Sequence, residues 1–140
     1  MVFRGDRPIG QLALSRNGQW MAYTANDSGR FEVYVSPFPT MERRYPISAA
    51  GGRNPRWSGD GRQLFYSSGD SIFSVDIGTD REFRTSSPQR ELQMSALSDF
   101  DISPQGDRLI VSQDSVELPT DIHVVLNWVE ELERLVPATN

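Results

Sequence analysis

His123 is the only histidine in the chain, and it lies between Ile122 and Val124 in a segment with strand-forming residues. A histidine can activate a serine nucleophile, but a catalytic triad also needs that serine and an orienting carboxylate. No Gly-x-Ser-x-Gly sequence occurs in the chain, and no pair of carboxylates lies in an apolar setting suited to acid–base catalysis. The sequence therefore predicts a non-enzymatic protein, with His123 as a structural or surface residue.

Two groups of polar residues could in principle bind an ion. The first is a recurring Ser-x-x-Gly turn, which lacks both the Lys-Ser/Thr pair of a phosphate loop and the carboxylate series of a calcium loop. The second comprises Asp99, Asp101 and Asp107, but short acidic side chains commonly cap turns, and Arg108 offers a pairing partner. We therefore expect no metal site and no cofactor.

The composition favours a β-sheet protein with an acidic surface. The chain has 140 residues, of which 37% are hydrophobic and 10% aromatic, with 11 Gly and 9 Pro as strand-breaking residues. Its formal net charge is −5, which argues against nucleic acid as the main partner because phosphate binding requires an excess of basic side chains. The absence of cysteine excludes disulfides, thiolate catalysis and cysteine-based zinc sites.

The sequence does not decide the cellular compartment. Met1 to Pro8 contains no apolar segment of the kind found in signal peptides, and no run approaches the roughly 18 apolar residues of a membrane span. We therefore expect no membrane insertion and a cytoplasmic location for the chain as expressed. A periplasmic location is the alternative if a longer parent protein carries a targeting segment upstream.

The Ser-x-x-Gly turn occurs three times at a nearly constant spacing. Gly18 and Gly61 are 43 residues apart, and Gly61 and Gly106 are 45 apart, close to the roughly 40–45 residues of a propeller blade. Each turn is followed by strand-forming apolar residues without helical periodicity. This period predicts three repeated antiparallel sheets, or blades, at about 10–48, 54–95 and 98–128.

The three copies differ in their fourth strand. In the first copy a short fourth strand is predicted at Arg44 to Ser48, and in the second at Arg90 to Met94, after a long polar segment. The third copy has only three predicted strands. It is followed by a short C-terminal helix at about 128–136, since Asn127 and Glu130 have capping-box spacing and Pro137 ends the pattern.

The three turns resemble those of TolB-type, WD-like β-propeller repeats, in which Ser-Pro-Asp-Gly or a near variant follows the inner strand. The segments that carry the resemblance are Ser15-Arg16-Asn17-Gly18, Ser58-Gly59-Asp60-Gly61 and Ser103-Pro104-Gln105-Gly106. The resemblance implies an all-β fold, namely a partial propeller of three four-stranded blades with an incomplete last blade. It also implies a bacterial C-terminal fragment, since three blades do not close a ring.

The resemblance implies a protein-interaction or ligand-sensing module with a protein or peptide partner. Open blade edges invite pairing, so we expect a homo-oligomer, with two copies completing a six-bladed ring. One alternative is an accessory propeller of a larger enzyme, either a serine/threonine kinase sensor or a prolyl-oligopeptidase-type peptidase. Another is an isolated gene product with no activity beyond assembly.

Four charged residues are the predicted contact group, because loops and strand ends carry recognition in propellers. They are Asp27, Arg30, Arg53 and Arg56. A set of aromatic residues could form a binding platform, but their recurrence in each copy predicts a core between blades instead. This set comprises Trp20, Tyr23, Tyr34, Trp57, Phe65, Tyr66 and Phe73.

Overall fold

The computed structural model describes residues 8–114 and 121–126 and contains twelve β-strands. The helix predicted at about 128–136 lies outside the described residues. Within those residues, no helix has the length and apolar character needed to cross a bilayer. The strands are β1 (Ile9–Leu14), β2 (Trp20–Asn26), β3 (Phe31–Pro37), β4 (Tyr45–Pro46), β5 (Arg53–Trp57), β6 (Gln63–Ser68), β7 (Ser71–Gly78), β8 (Arg84–Thr85), β9 (Gln89–Gln93), β10 (Leu97–Ile102), β11 (Arg108–Gln113) and β12 (Asp121–Leu126).

The strands form three antiparallel sheets, which confirms the all-β prediction. Blade 1 has the order β1-β2-β3-β4, blade 2 has β5-β6-β7 with β8 and β9 both paired to β7, and blade 3 has β10-β11-β12. The Ser-x-x-Gly turns lie at one end of the sheets, here called the turn end. The connections between β2 and β3, β6 and β7, and successive blades lie at the opposite end, here called the crossover end.

In each Ser-x-x-Gly turn the serine hydroxyl accepts a backbone N–H and donates to a side-chain oxygen, which belongs to Asn17 in blade 1, Asp60 in blade 2 and Asp107 in blade 3. In blade 2, the Ser58 hydroxyl donates to Asp60 Oδ1 over 2.7 Å and accepts the Gln63 N–H over 2.9 Å, while the Gly61 N–H donates to the Ser58 carbonyl. Gly61 has a φ of +72°, a conformation that favours glycine. The Arg62 N–H and the Ser58 hydroxyl both donate to Asp60, and these two hydrogen bonds hold the pKa of Asp60 below its usual value. The turn residues are therefore held in place by hydrogen bonds within the turn.

The inner strands contain a β-bulge that the sequence pattern did not indicate. The β1–β2 register shifts between Gly10 and Leu12, and the β5–β6 register shifts between Arg53 and Arg56. The bulged residues Gln11 and Asn54 have positive φ angles of 42° and 51°. Their side chains bond each other, and the Asn54 N–H donates to Gln11 Oε1 over 3.0 Å. The bulges thus link the inner strands of blades 1 and 2.

An apolar cluster joins blades 1 and 2. It consists of Ala22, Val33, Val35 and Ile47 from blade 1 and Leu64, Tyr66, Val75 and Ile77 from blade 2. Trp57 packs against this cluster, and its indole N–H donates to the Ala13 carbonyl over 3.0 Å. This inter-blade bond satisfies the polar atom of a half-buried tryptophan.

A second cluster joins blades 2 and 3. Phe65 and Ile72 of blade 2 pack with Phe100, Leu109 and Val111 of blade 3, and all five are buried. Among the aromatic residues predicted to be core, Phe65 belongs to this cluster, while Tyr23 and Tyr34 pair on the other face of blade 1 with ring centroids 6.0 Å apart.

The fourth strand of blade 2 is split into two short pieces. Pro88 lies between β8 and β9 and has no N–H to donate to a strand ladder. Beside this break, the Ser86 hydroxyl accepts a hydrogen bond from the Asp76 N–H of β7. The preceding segment also reaches blade 1, where Phe83 stacks on Tyr45 with ring centroids 4.3 Å apart. The long polar segment is therefore anchored by one aromatic side chain.

Glu91 is a buried carboxylate at a bulge in β9, and its environment gives a testable pH dependence. It accepts a hydrogen bond from the Ser74 hydroxyl, but burial, together with nearby Asp76, raises the pKa of Glu91 above its ordinary 4.5. The native state therefore keeps this proton at pH values where the unfolded chain has lost it. The stabilisation is complete below the unfolded pKa and is lost as pH rises through the raised native pKa.

We therefore expect Glu91→Gln, which keeps a side-chain acceptor for Ser74, to raise the melting temperature at pH 7 by a few degrees. The gain should shrink toward pH 4, where the native carboxyl is already neutral. Thermal unfolding followed by circular dichroism at several pH values would measure both effects. The exposed Glu82 provides the matched Glu82→Gln control, which should change little. A gain independent of pH, or a loss at pH 7, would contradict the argument.

Candidate binding cleft

A cleft of about 560 Å³ opens at the crossover end, where blades 1 and 2 meet and blade 3 begins. The β2–β3 loop, the connection from β4 to β5 and the start of β10 form its walls. Its lining includes Arg30, Phe31, Gly51, Arg53, Asn54 and Ser68. None of the described residues that line this cleft is acidic.

Arg53 has its guanidinium above the ring of Phe31. The Arg53 Cζ atom lies 4.3 Å from the ring centroid, a cation–π distance. Stacking occupies the face of the guanidinium and leaves its N–H edges available to a planar anion such as a carboxylate. Arg53 is therefore oriented by an aromatic residue and not by an acidic one.

Arg30 is held by the strand that follows it. Its Nε atom lies 2.8 Å from Glu32 Oε1, and one terminal nitrogen donates to the Ala49 carbonyl over 3.0 Å. Glu32 is only 7% exposed and also accepts hydrogen bonds from the Ser48 hydroxyl and the Gly51 N–H. These bonds satisfy the buried carboxylate and fasten the connection between blades 1 and 2.

The structure brings together two of the four residues in the predicted contact group. Arg30 and Arg53 line the same cleft. Asp27 lies in the neighbouring loop, where it forms an ion pair with Arg44. Arg56 lies in β5, outside the residues that line the cleft, with its Nε atom 3.8 Å from an Asp101 oxygen in blade 3. A role in binding stays a prediction for all four residues.

Two residues important to the cleft were not singled out from the sequence. Phe31 and Glu32 lie in a stretch of strand-forming residues that carries no local sign of a binding site. The adjacent Gly51-Gly52 pair was a signal, since two glycines allow a close approach of backbone segments. At Gly52, a Cβ atom would lie 2.7 Å from Ser48 Oγ and 2.9 Å from Val33 Cγ2.

Tyr66 precedes the cleft residue Ser67 and has a shifted pKa. Burial, with a smaller contribution from the Glu32 carboxylate, raises the pKa of Tyr66 to about 12, so this phenol stays protonated at neutral pH. Among residues 8–114, no group of three or more His, Cys, Asp or Glu side chains is placed to hold a metal ion. The described residues that line the cleft supply positive charge and hydrogen-bonding groups.

A larger cleft of about 900 Å³ lies at the turn end between blades 1 and 2. The described residues that line it carry both signs of charge, namely Arg16, Arg62, Asp60, Asp76 and Asp80. Asp60 already accepts hydrogen bonds from the Ser58 hydroxyl and from the Arg62 N–H. This cleft has no single electrostatic preference, which makes the crossover-end cleft the better candidate.

No family model and no curated protein matches the chain. Among solved structures, it resembles TolB from Acinetobacter baumannii, with a TM-score of 0.67 and 18% identity over 84% of this chain and 30% of that one. A protein assigned as TolB from Agrobacterium tumefaciens has a TM-score of 0.67 and 19% identity, with coverages of 86% and 46%. A prolyl endopeptidase has a TM-score of 0.62 and 15% identity, with coverages of 85% and 20%.

These likenesses show the fold. The three sheets are blades of a TolB-like β-propeller, which confirms the predicted fold class and the resemblance on which it was based. The chain spans less than half the length of each of these three structures.

Proposed function

We propose that this chain is a non-enzymatic interaction module and that its crossover-end cleft binds an acidic peptide segment of a protein partner. The observation that carries the proposal is the pair Arg30 and Arg53 in one cleft whose described lining contains no carboxylate. The propeller fold supports it, because connecting loops held by rigid sheets are where such folds present recognition residues.

The charge distribution favours a carboxylate-bearing ligand. The chain as a whole carries a net charge of −5, so a cleft lined by two arginines differs in sign from the rest of the protein. The Glu32 carboxylate balances Arg30, whereas Arg53 is stacked on Phe31. We therefore assign the main contact with the ligand carboxylate to Arg53, through charge-assisted hydrogen bonds.

The remaining lining suits an extended peptide backbone. Gly51, Gly52 and Gly69 carry no side chains that would obstruct a close approach. Asn54, Ser67 and Ser68 supply donors and acceptors in the same cleft. Since the cleft is open and polar, specificity would arise from the placement of the acidic residue relative to Arg53.

Substitution of Arg53 by alanine is expected to weaken binding of a fluorescein-labelled hexaglutamate peptide roughly tenfold or more, the value of one charge-assisted hydrogen bond. Fluorescence anisotropy titrations at low ionic strength would measure the dissociation constant, and added salt should weaken binding further. A hexalysine peptide should not bind at this cleft.

The matched control is Arg62→Ala. It removes the same charge from an exposed arginine at the turn end, so the affinity for hexaglutamate should stay close to that of the wild type. Equal losses in both variants would show that net charge alone attracts the peptide. Unchanged binding in Arg53→Ala would place the ligand elsewhere. Either result would overturn the proposal.

A second candidate function is that of an accessory propeller within a larger enzyme, either a peptidase or a kinase sensor. The likeness to a prolyl endopeptidase over 85% of this chain favours the peptidase version. In that case the reading frame that contains these blades should also encode a hydrolase or kinase domain, and sequencing the full transcript would decide the question.

A further inference from the structure

The three blades can be compared position by position, because the turn serine has the same backbone hydrogen bonds in each of them. The position three residues before the turn serine lies in the inner strand. It is on the face toward the preceding blade, here called the front face. Its occupants are Leu12, Pro55 and Phe100. The position seven residues after the turn serine lies in the second strand, on the opposite face, here called the back face. Its occupants are Ala22, Phe65 and Ile110.

The front-face position is buried wherever a blade precedes it. Pro55 is fully buried in β5, the strand that contacts β1 and β2 of blade 1, and Phe100 packs against blade 2 and is 3% exposed. The equivalent residue of blade 1, Leu12, is 63% exposed, and the next front-face residue, Leu14, is 48% exposed. Blade 1 therefore presents large apolar side chains at positions that the repeat otherwise covers.

The back-face position follows the same rule in the opposite direction. Ala22 packs against blade 2 and Phe65 packs against blade 3, and both are fully buried. The equivalent residue of blade 3, Ile110, is 41% exposed. The chain thus exposes the front face of blade 1 and the back face of blade 3. At both junctions inside the chain, the back face of one blade packs on the front face of the next.

From this asymmetry we infer that the back face of blade 3 packs on the front face of blade 1 of a second copy of this chain. Two copies joined in this way at both ends form a closed ring of two-fold symmetry. The ring has six blades, within the range of roughly four to eight that propellers use, whereas three copies would exceed that range. Contact is made through blade faces, and it does not depend on ligand binding at the crossover-end cleft.

Sedimentation velocity of the 140-residue chain tests the inference. A species of twice the 15.8 kDa chain mass is expected. Leu14→Glu and Ile110→Glu each place a charge in both interfaces of the ring and should weaken dimerisation at least about tenfold. Because Leu14 and Ile110 are partly exposed within one chain, each variant should keep the wild-type circular dichroism spectrum. A 15.8 kDa species at all concentrations would overturn the inference.

A mixing experiment tests the head-to-tail arrangement. A ring made from one Leu14→Glu chain and one Ile110→Glu chain has both charges in one interface and none in the other. The mixture should therefore form heterodimers through its intact interface, under conditions where each variant alone is monomeric. Failure of the mixture to associate would overturn the arrangement. If front faces packed on front faces, or back faces on back faces, mixing the two variants would not restore dimers.

The matched control is Phe38→Glu, which places a charge at an exposed apolar residue outside both faces. Phe38 is 38% exposed and lies beyond β3 at the turn end. This variant should dimerise like the wild type. Loss of the dimer in Phe38→Glu to the same extent as in Leu14→Glu would mean that general hydrophobic association is responsible, and it would overturn the inference.

Discussion

Substitution of Phe65 by alanine is expected to lower the free energy of unfolding by about 3–5 kcal/mol, the cost of deleting a fully buried aromatic ring. Phe65 is completely buried between blades 2 and 3, in a cluster with Ile72, Phe100, Leu109 and Val111. Domains of this size have total stabilities of roughly 5–15 kcal/mol. The variant should therefore unfold at a much lower urea concentration, as followed by circular dichroism.

The repeat itself supplies evidence that alanine suits the strand at this position. Blade 1 has Ala22 at the position equivalent to Phe65, and Ala22 is fully buried against Leu64 and Tyr66 of blade 2. The loss in Phe65→Ala should thus come from the cavity and not from strand propensity.

Phe38→Ala is the control for Phe65→Ala, because it makes the same truncation at a residue that is 38% exposed. It should cost less than about 1 kcal/mol. Equal losses for the two phenylalanines would contradict the assignment of Phe65 to an inter-blade core.

The repeat architecture could be predicted from the sequence because its signals are local. A turn serine, a glycine in the left-handed conformation and the apolar strand that follows are all within a few residues of one another, as in Ser58 to Leu64. The spacing of the three turns then sets the blade period. For these reasons the three strand-rich copies and the short fourth strand of blade 1 could be predicted from the sequence.

The cleft could be predicted only in part, because it depends on contacts between distant segments. Arg30 and Arg53 were identified as polar residues at strand ends, but only the fold brings them together. The bulge residues Gln11 and Asn54 bond across 43 positions of sequence, and no local pattern marks such a pair. Glu32 lies within a strand, yet its partners Ser48 and Gly51 lie in the connection between blades 1 and 2.

Sequence repetition also hid a difference that the structure reveals. The front-face positions are apolar in all three copies, and from the sequence alone Leu12 resembles any other core residue. Its exposure follows from the absence of a preceding blade in the described residues, which is a property of the arrangement and not of the motif. The sequence predicts only that open blade edges would pair. The exposed positions identify the front face of blade 1 and the back face of blade 3 as the surfaces inferred to pack together.

Substitution of Gly59 by alanine is expected to destabilise the protein by about 1–3 kcal/mol, the usual range for overpacking a close contact. A Cβ atom at this position would lie 1.9 Å from the Pro104 carbonyl oxygen and 2.8 Å from its carbonyl carbon. Because the obstructing atoms are backbone, the turn of blade 2 or that of blade 3 would have to move. The contact explains why glycine, and not the motif's proline, follows Ser58.

Arg16→Ala is the control for this substitution, since Arg16 has the same place in the turn of blade 1 and is exposed. Alanine is therefore compatible with the turn itself, and Arg16→Ala should change the free energy of unfolding by less than about 0.5 kcal/mol. Urea denaturation of both variants would compare them directly. If Gly59→Ala were as stable as the wild type, the turns of blades 2 and 3 would not be in contact, and the packing of these blades at the turn end would have to be revised.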